Sequence, residues 1–189
     1  MHARTRGLNF VEQVGQTHGA CIRQGIVSYV GTALSATSGG TISAASGSTL
    51  QFSDVTNAIK HIAGHGGQPD FIFTSPSNMW TAFMTSHAVT QFYGALNDLL
   101  VGGLGPKPKV LGLDWYADPY FDTLFPAGLK RLAYVGCKGK SSIWGALQTD
   151  PLIEIYRVPT ELSNYIITHL DGGAAGGIAD SICGITHAS

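Results

Sequence analysis

Apolar residues recur every three to four positions along the start of the chain. Phe10, Val14, Ile22, Ile26, Val30 and Leu34 keep this period from Asn9 to Leu34, which predicts one long amphipathic helix. Gly15, Gly19, Gly25 and Gly31 interrupt it. Each costs about 1 kcal/mol relative to alanine, and together they leave a narrow side against which another backbone can pack. The pattern then gives way to small residues in SATSGGTISAASGS (35–48), which reads as a linker. Ser53 stands as an N-cap before DVTNAIKHIAGH, whose stripe is Val55, Ile59 and Ile62 and whose stop is Gly64 or Gly66. DFIFT (70–74) predicts a short buried strand. Ser75-Pro76 pairs a cap with proline at the first helical position. The helix SNMWTAFMTSH should therefore follow and bury Trp80, Phe83 and Met84. A second helical piece, VTQFYGALNDLL, should end at Gly102-Gly103.

The pattern changes after Gly105-Pro106 to short apolar runs between Pro, Gly and Asp turns. Strands are expected at Lys109–Leu113, Arg131–Val135, Ile143–Leu147, Leu152–Arg157 and Tyr165–Leu170, with Gly177–Ile185 as a closing strand. Helices precede strands, with no internal repeat and no β-α-β alternation, so the class is α+β.

Composition changes the picture in one respect. Charged residues are 12% of the chain, against about 25% in an ordinary soluble domain. Hydrophobic residues reach 44%, so the chain is not a disordered polar one. Its surface must be built from small polar and apolar groups, which protect poorly against association. An assembly subunit explains this better than a free enzyme. The net charge of −1 argues against a broad basic face for nucleic acid. The 189 residues suit one domain, or one with an appendage. Cys21, Cys137 and Cys183 are widely spaced, without CxxC, and read as small buried hydrophobes in a reducing compartment. MHARTRGLNF has no apolar run behind its arginines, so it is not a signal peptide. No apolar stretch reaches the ~18 residues of a membrane helix.

Four constellations could carry chemistry. His61 and His65 lie four apart on a helix and could share a metal, but HIAGH lacks the glutamate a zinc protease needs. Their alternative role is to favour a helix C-terminus. Gly102-Gly103-Leu104-Gly105-Pro106-Lys107 suggests a phosphate loop, but lacks the Lys-Ser/Thr ending and a following helix. Cys137 lies near Lys138 and Lys140, which would lower a thiol pKa, yet no histidine is tied to it by a signature. Asp114, Asp118 and Asp122 recur every four residues and could bind Ca²⁺ or Mg²⁺; Pro119 breaks the run, and a turn with packed aromatics is the simpler reading. No catalytic, cofactor or metal site is therefore assigned.

The order of segments resembles the major capsid proteins of tailed bacteriophages, with their Hong Kong phage-type shell fold. The segments are PDFIFTSPSNMWTAF, then PKVLGLDWYADPYF, then RLAYVGCKGKSSIWG, and last LIEIYRVPTELSNYIITHLDGGAAGGIADSICGI. The resemblance spans Ser53 to Ile185. It implies helices packed on an antiparallel or mixed sheet in peripheral and axial subdomains (53–189). Residues 1–52 are then the N-terminal helix and linker. Too few residues precede Ser53 for the family's N-terminal arm, extended hairpin loop and spine helix together, and no Lys–Asn pair matches the cross-link of some members. The implied role is a virion structural protein, not an enzyme, that assembles in the host cytoplasm. Its partners would be copies of itself in pentamers and hexamers of an icosahedral shell, with scaffold or other capsid proteins, DNA met only indirectly, and no membrane. A nanocompartment shell of the encapsulin kind, or a small hydrolase using Cys137, is the alternative. Phe92, Tyr93, Trp115, Tyr116, Tyr120 and Phe121 are the candidate assembly contacts, with core packing as the competing role.

Overall fold

The N-terminal three-to-four period becomes a single helix, α1 (His2–Thr37), of 36 residues, about 54 Å long at 1.5 Å per residue. The computed structural model describes residues 2–45, 47, 49–85, 109–125, 131–138, 143–147, 152–158, 163–169 and 171–187. After α1 come β1 (Gly40–Ser43), α2 (Phe52–Gly64), β2 (Phe71–Thr74) and α3 (Pro76–Thr85). Next are β3 (Lys109–Val110), β4 (Leu113–Ala117), the one-turn helix α4 (Phe121–Leu124) and β5 (Arg131–Gly136). The chain continues through β6 (Ile143–Leu147), β7 (Leu152–Val158), β8 (Ser163–His169) and β9 (Gly172–Gly176), and closes with β10 (Ile182–Thr186).

Six strands form one mixed sheet in the order β1-β10-β5-β2-β4-β3. β1 runs parallel to β10 and β2 parallel to β4; the other neighbours are antiparallel. Helices cover both faces. On one, α2 presents Val55, Ala58 and Ile62, and α3 presents Met79, Ala82 and Phe83, against Ile72, Trp115, Val135 and Ile185 of the strands. On the other, Leu34 of α1 and Phe121 and Phe125 around α4 pack on Phe73, Tyr134 and Ile182. Burial of these side chains is the main source of stability, at roughly 25 cal/mol per Å² of apolar surface. Arg23 fastens α1 to the end of β4: its Nε and Nη2 donate to Asp118 at 3.0 and 2.8 Å.

Two shorter sheets stand apart from the six-stranded one: β6 pairs with β9, and β7 with β8, each antiparallel. The β6–β9 ribbon lies against α1. Glycine makes this approach possible, since a Cβ at Gly176 would fall on the Thr37 hydroxyl.

Several expectations need correction. The small-residue segment read as a linker contributes β1, because a parallel register on β10 satisfies its backbone groups better than a free loop could. The helix expected to be capped by Ser53 starts at Phe52, and Asp54 secures it by accepting the N–H of Gln51 at 3.0 Å. The strand expected over Lys109–Leu113 breaks at Leu111 and Gly112, whose φ values of 57° and 79° make a two-residue hairpin turn. Strand β4 therefore runs through the aspartate-aromatic segment read as a turn. The closing strand expected over Gly177–Ile185 holds a 3-10 turn (Ala179–Ser181) and only then β10, while a further strand, β9, precedes it. β2 and β4 form one parallel crossover containing α3, where no β-α-β unit was expected. Ser75 caps α3 as expected, accepting the Asn78 N–H at 3.2 Å, but Trp80 and Met84 face solvent while Met79 and Phe83 are buried. The second helical piece, VTQFYGALNDLL, lies outside the described residues.

Candidate functional site

Among the described residues the chemical constellations do not assemble into a reactive centre. His65 Nδ1 donates to the His61 carbonyl oxygen at 2.8 Å, satisfying a group at the C-terminus of α2. The rings are 4.7 Å apart, but His61 Nε2 is buried against Gly40 of β1, so the two are not presented to a common ion. Asp118 is spent on Arg23 and on the Tyr120 N–H at 2.9 Å. Asp114 pairs with Lys138, whose ammonium also lies 5.4 Å from the Tyr116 ring centroid. The hydrogen bond to Asp114 holds that lysine above the usual range, so it stays protonated. Among the described residues no three His, Cys, Asp or Glu side chains gather as a metal site requires. The Gly102–Lys107 loop lies outside the described residues.

Cys137 is sealed in the core at the end of β5 and offers no thiol to a substrate. Burial pushes the Cys183 thiol up to about 11. Cys21, on α1, is exposed. An aromatic disulfide reagent should therefore modify one thiol per folded chain, at Cys21, and three after denaturation; peptide mass mapping checks this.

What the structure does expose is apolar surface on separate elements. Met84 is 68% exposed and Trp80, one turn earlier on α3, 44%. Trp144 on β6 is 63% exposed and sits opposite Ala175 of β9, so the outer face of that ribbon carries no charge there. On the β7–β8 hairpin, Tyr156 and Ile167 are exposed on the face that also holds Glu154 and His169. Tyr156 donates its hydroxyl to Glu154, and His169 lies 3.7 Å from the same carboxylate. These two aromatic side chains escape sequence reasoning. The available signal was strand parity, which places Ile143 inward and Trp144 outward, but only once the covered face is known.

No protein-family model and no curated protein matches the sequence. The structure superposes on one from Mycobacterium phage Che8 with a TM-score of 0.64 at 11% identity, over 91% of this chain and 61% of that one. It superposes on the capsid structure of the cyanophage P-SCSP1u with a TM-score of 0.60 at 12% identity, over 94% and 66%. The chain has the major-capsid-like fold of tailed phages. The structure also superposes on one from Mycobacterium phage Ogopogo with a TM-score of 0.58 at 12% identity, over 80% of this chain and 54% of that one. The chain thus spans 61%, 66% and 54% of the lengths of these three solved chains.

On this capsid-like fold the candidate contact residues take different places. Trp115 and Phe121 have no exposed surface and are core side chains: Trp115 lies on the interior strand β4 beneath α2 and α3, and Phe121 on α4 packs on Phe73 and Tyr134. Tyr116 and Tyr120 are half-buried. Phe92 and Tyr93 lie outside the described residues. No helix among the described residues is long and apolar enough to cross a membrane.

Proposed function

We propose that this chain is the subunit of a self-assembling protein shell. The observation that carries the reading is the distribution of exposed apolar side chains on this fold. Trp80 and Met84 lie on α3, Trp144 on the β6–β9 ribbon, and Tyr156 with Ile167 on the β7–β8 hairpin, three separate parts of the fold. A single twofold contact would cover one patch and its copy, whereas head-to-tail contacts around rings bring different patches together. The low charge, 12% of residues, supports the same reading, since little repulsion opposes close packing of copies.

In its finer form, the proposal is a virion structural protein. Pentamers and hexamers close an icosahedral shell around DNA, and assembly takes place in the host cytoplasm. Residues 53–189 form the peripheral and axial parts, and the N-terminal helix with the segment up to residue 52 precedes them. The role is structural rather than catalytic.

Size-exclusion chromatography with negative-stain electron microscopy, across salt and protein concentration, tests the reading. Rings, sheets or closed shells are the expected result, and nucleic acid inside closed shells should resist added nuclease. A monodisperse monomer under every condition would sink the proposal.

A further inference from the structure

Arg131, the first residue of β5, stands apart from the other described basic side chains. Arg23, Lys60, Lys109, Lys138 and Arg157 are exposed, as cations ordinarily are. Arg131 is half-buried, and no carboxylate among the described residues lies within ion-pair distance of it. Its side chain crosses the neighbouring strand β10 over Gly184, where a Cβ would come within 2.7 Å of Nη1. The guanidinium thereby reaches β1, where Nη1 donates to Thr41 Oγ1 at 3.3 Å, and its carbon lies 5.7 Å from the Tyr134 ring centroid.

This arrangement is underused. A guanidinium has five N–H donors, and one hydrogen bond is made to the described residues. Arg131 Nε is buried without an acceptor, and so is the Tyr134 hydroxyl. Ser35 faces that hydroxyl without closing a normal hydrogen bond, and burial, the larger influence, pushes the tyrosine up. Thr41 accepts from Arg131, its own O–H has no acceptor among the described residues, and Thr41 is exposed. The outer edge of the guanidinium thus opens to the surface beside β1, which has no strand on its far side among the described residues. A partly desolvated cation without a counter-charge is costly, and a planar fork beside a hydroxyl matches an oxyanion.

We propose that Arg131, with Thr41, is the docking point for a carboxylate carried by a second copy of this chain. The inference rests on the shell reading. The chain supplies the complementary groups: Glu12, Asp122, Asp171 and Asp180 are exposed carboxylates with no cation partner among the described residues. Bringing one of them to Arg131 satisfies both charges in a contact that is absent from the isolated subunit, and a surface poor in charge makes that contact selective.

The test compares the full chain with R131Q by sedimentation velocity across concentration. Melting is measured on the dissociated chains. Both are studied in chloride and in phosphate at matched ionic strength. The expected result is association of R131Q weakened by about tenfold or more, with an unchanged melting temperature, and with phosphate weakening the wild type only. Equal association of both proteins would overturn the docking proposal while leaving the shell reading intact. A wild type that stays monomeric would overturn both. A melting temperature lowered in R131Q and restored in R131K, with association unchanged, would place the role of Arg131 inside the subunit and overturn the proposal. Stabilisation of the wild-type monomer by phosphate, lost in R131Q without any change in association, would mean that the site takes a free anion instead.

Discussion

Trp115→Ala is expected to lower the unfolding free energy by about 3–5 kcal/mol, the usual cost of removing a large aromatic side chain from a packed interior. Trp115 has no exposed surface. Its ring lies 4.9 Å from that of Phe83 and 6.1 Å from that of Phe52, centroid to centroid, so it joins α3 and the start of α2 to strand β4. Its indole N–H donates to the Val110 carbonyl oxygen at 3.2 Å, which also ties the β3–β4 hairpin to the core. Alanine would leave a cavity bounded by two helices and a sheet, none of which can collapse alone. Trp115→Phe keeps most ring contacts and loses the hydrogen bond, so a cost of about 1–2 kcal/mol is expected. Urea unfolding followed by circular dichroism checks both values. A loss below about 1 kcal/mol for the alanine variant would show that the indole is not a centre of this core. On the proposed shell reading, assembly should fail in Trp115→Ala for want of folded chain, in contrast to a surface variant.

Asp54→Ala is the second large effect, expected to cost about 2–4 kcal/mol, from a lost helix cap and two hydrogen bonds to a charged acceptor. The carboxylate is buried, with 1% of the residue exposed. Its two oxygens accept the N–H groups of Ala45 and Gln51, each at 3.0 Å. One bond secures the first turn of α2, where a negative charge also suits the helix dipole. The other holds the chain just after β1. Alanine would strand both donors. Asp54→Asn can satisfy one of the two with its carbonyl oxygen, so about half the loss is expected. Thermal melts of the three proteins in one buffer would check this order. An asparagine variant as stable as the wild type would show that the second acceptor carries no weight.

Asp54 also shows where local reasoning stops. The sequence points to a helix start near Ser53, and a helix does start there. The bond from Gln51 to Asp54 is a local capping-box contact, but the second bond of Asp54, to Ala45 nine residues away, is one that no capping rule sees. Short apolar strands fared better. Ile143–Leu147 matches the expected bounds, and the strand expected at Arg131–Val135 is longer by one residue. Their β-branched and aromatic content is a local property. GTIS holds only the Thr41-Ile42 pair amid small residues and GGAAG holds no such residue, yet they form β1 and β9. Both become strands because a partner is present, β10 for the first and β6 for the second.

The candidate contact surface divides along the same line. Trp115 and Trp144 are equally apolar in sequence and each sits on a strand. One is at the centre of the subunit and the other is 63% exposed. Which of them can meet a neighbour depends on whether a helix covers that face of that strand. This is set by α2 and α3 packing on the six-stranded sheet, outside the reach of any window around either residue.

By itself, the sequence determined the long N-terminal helix, the concentration of strands in the C-terminal half and the scarcity of charge that points to association. These follow from periodicity and composition, which act over a few residues or over the whole chain without reference to geometry. Tertiary structure alone decided the strand order β1-β10-β5-β2-β4-β3, the core position of Trp115 and Phe121, and the convergence of Arg131, Thr41 and Gly184 from three strands. The reason is that strand pairing and helix docking bring together residues such as Thr41 and Arg131, whose separation along the chain is 90 positions. Nothing local to either records that they will meet.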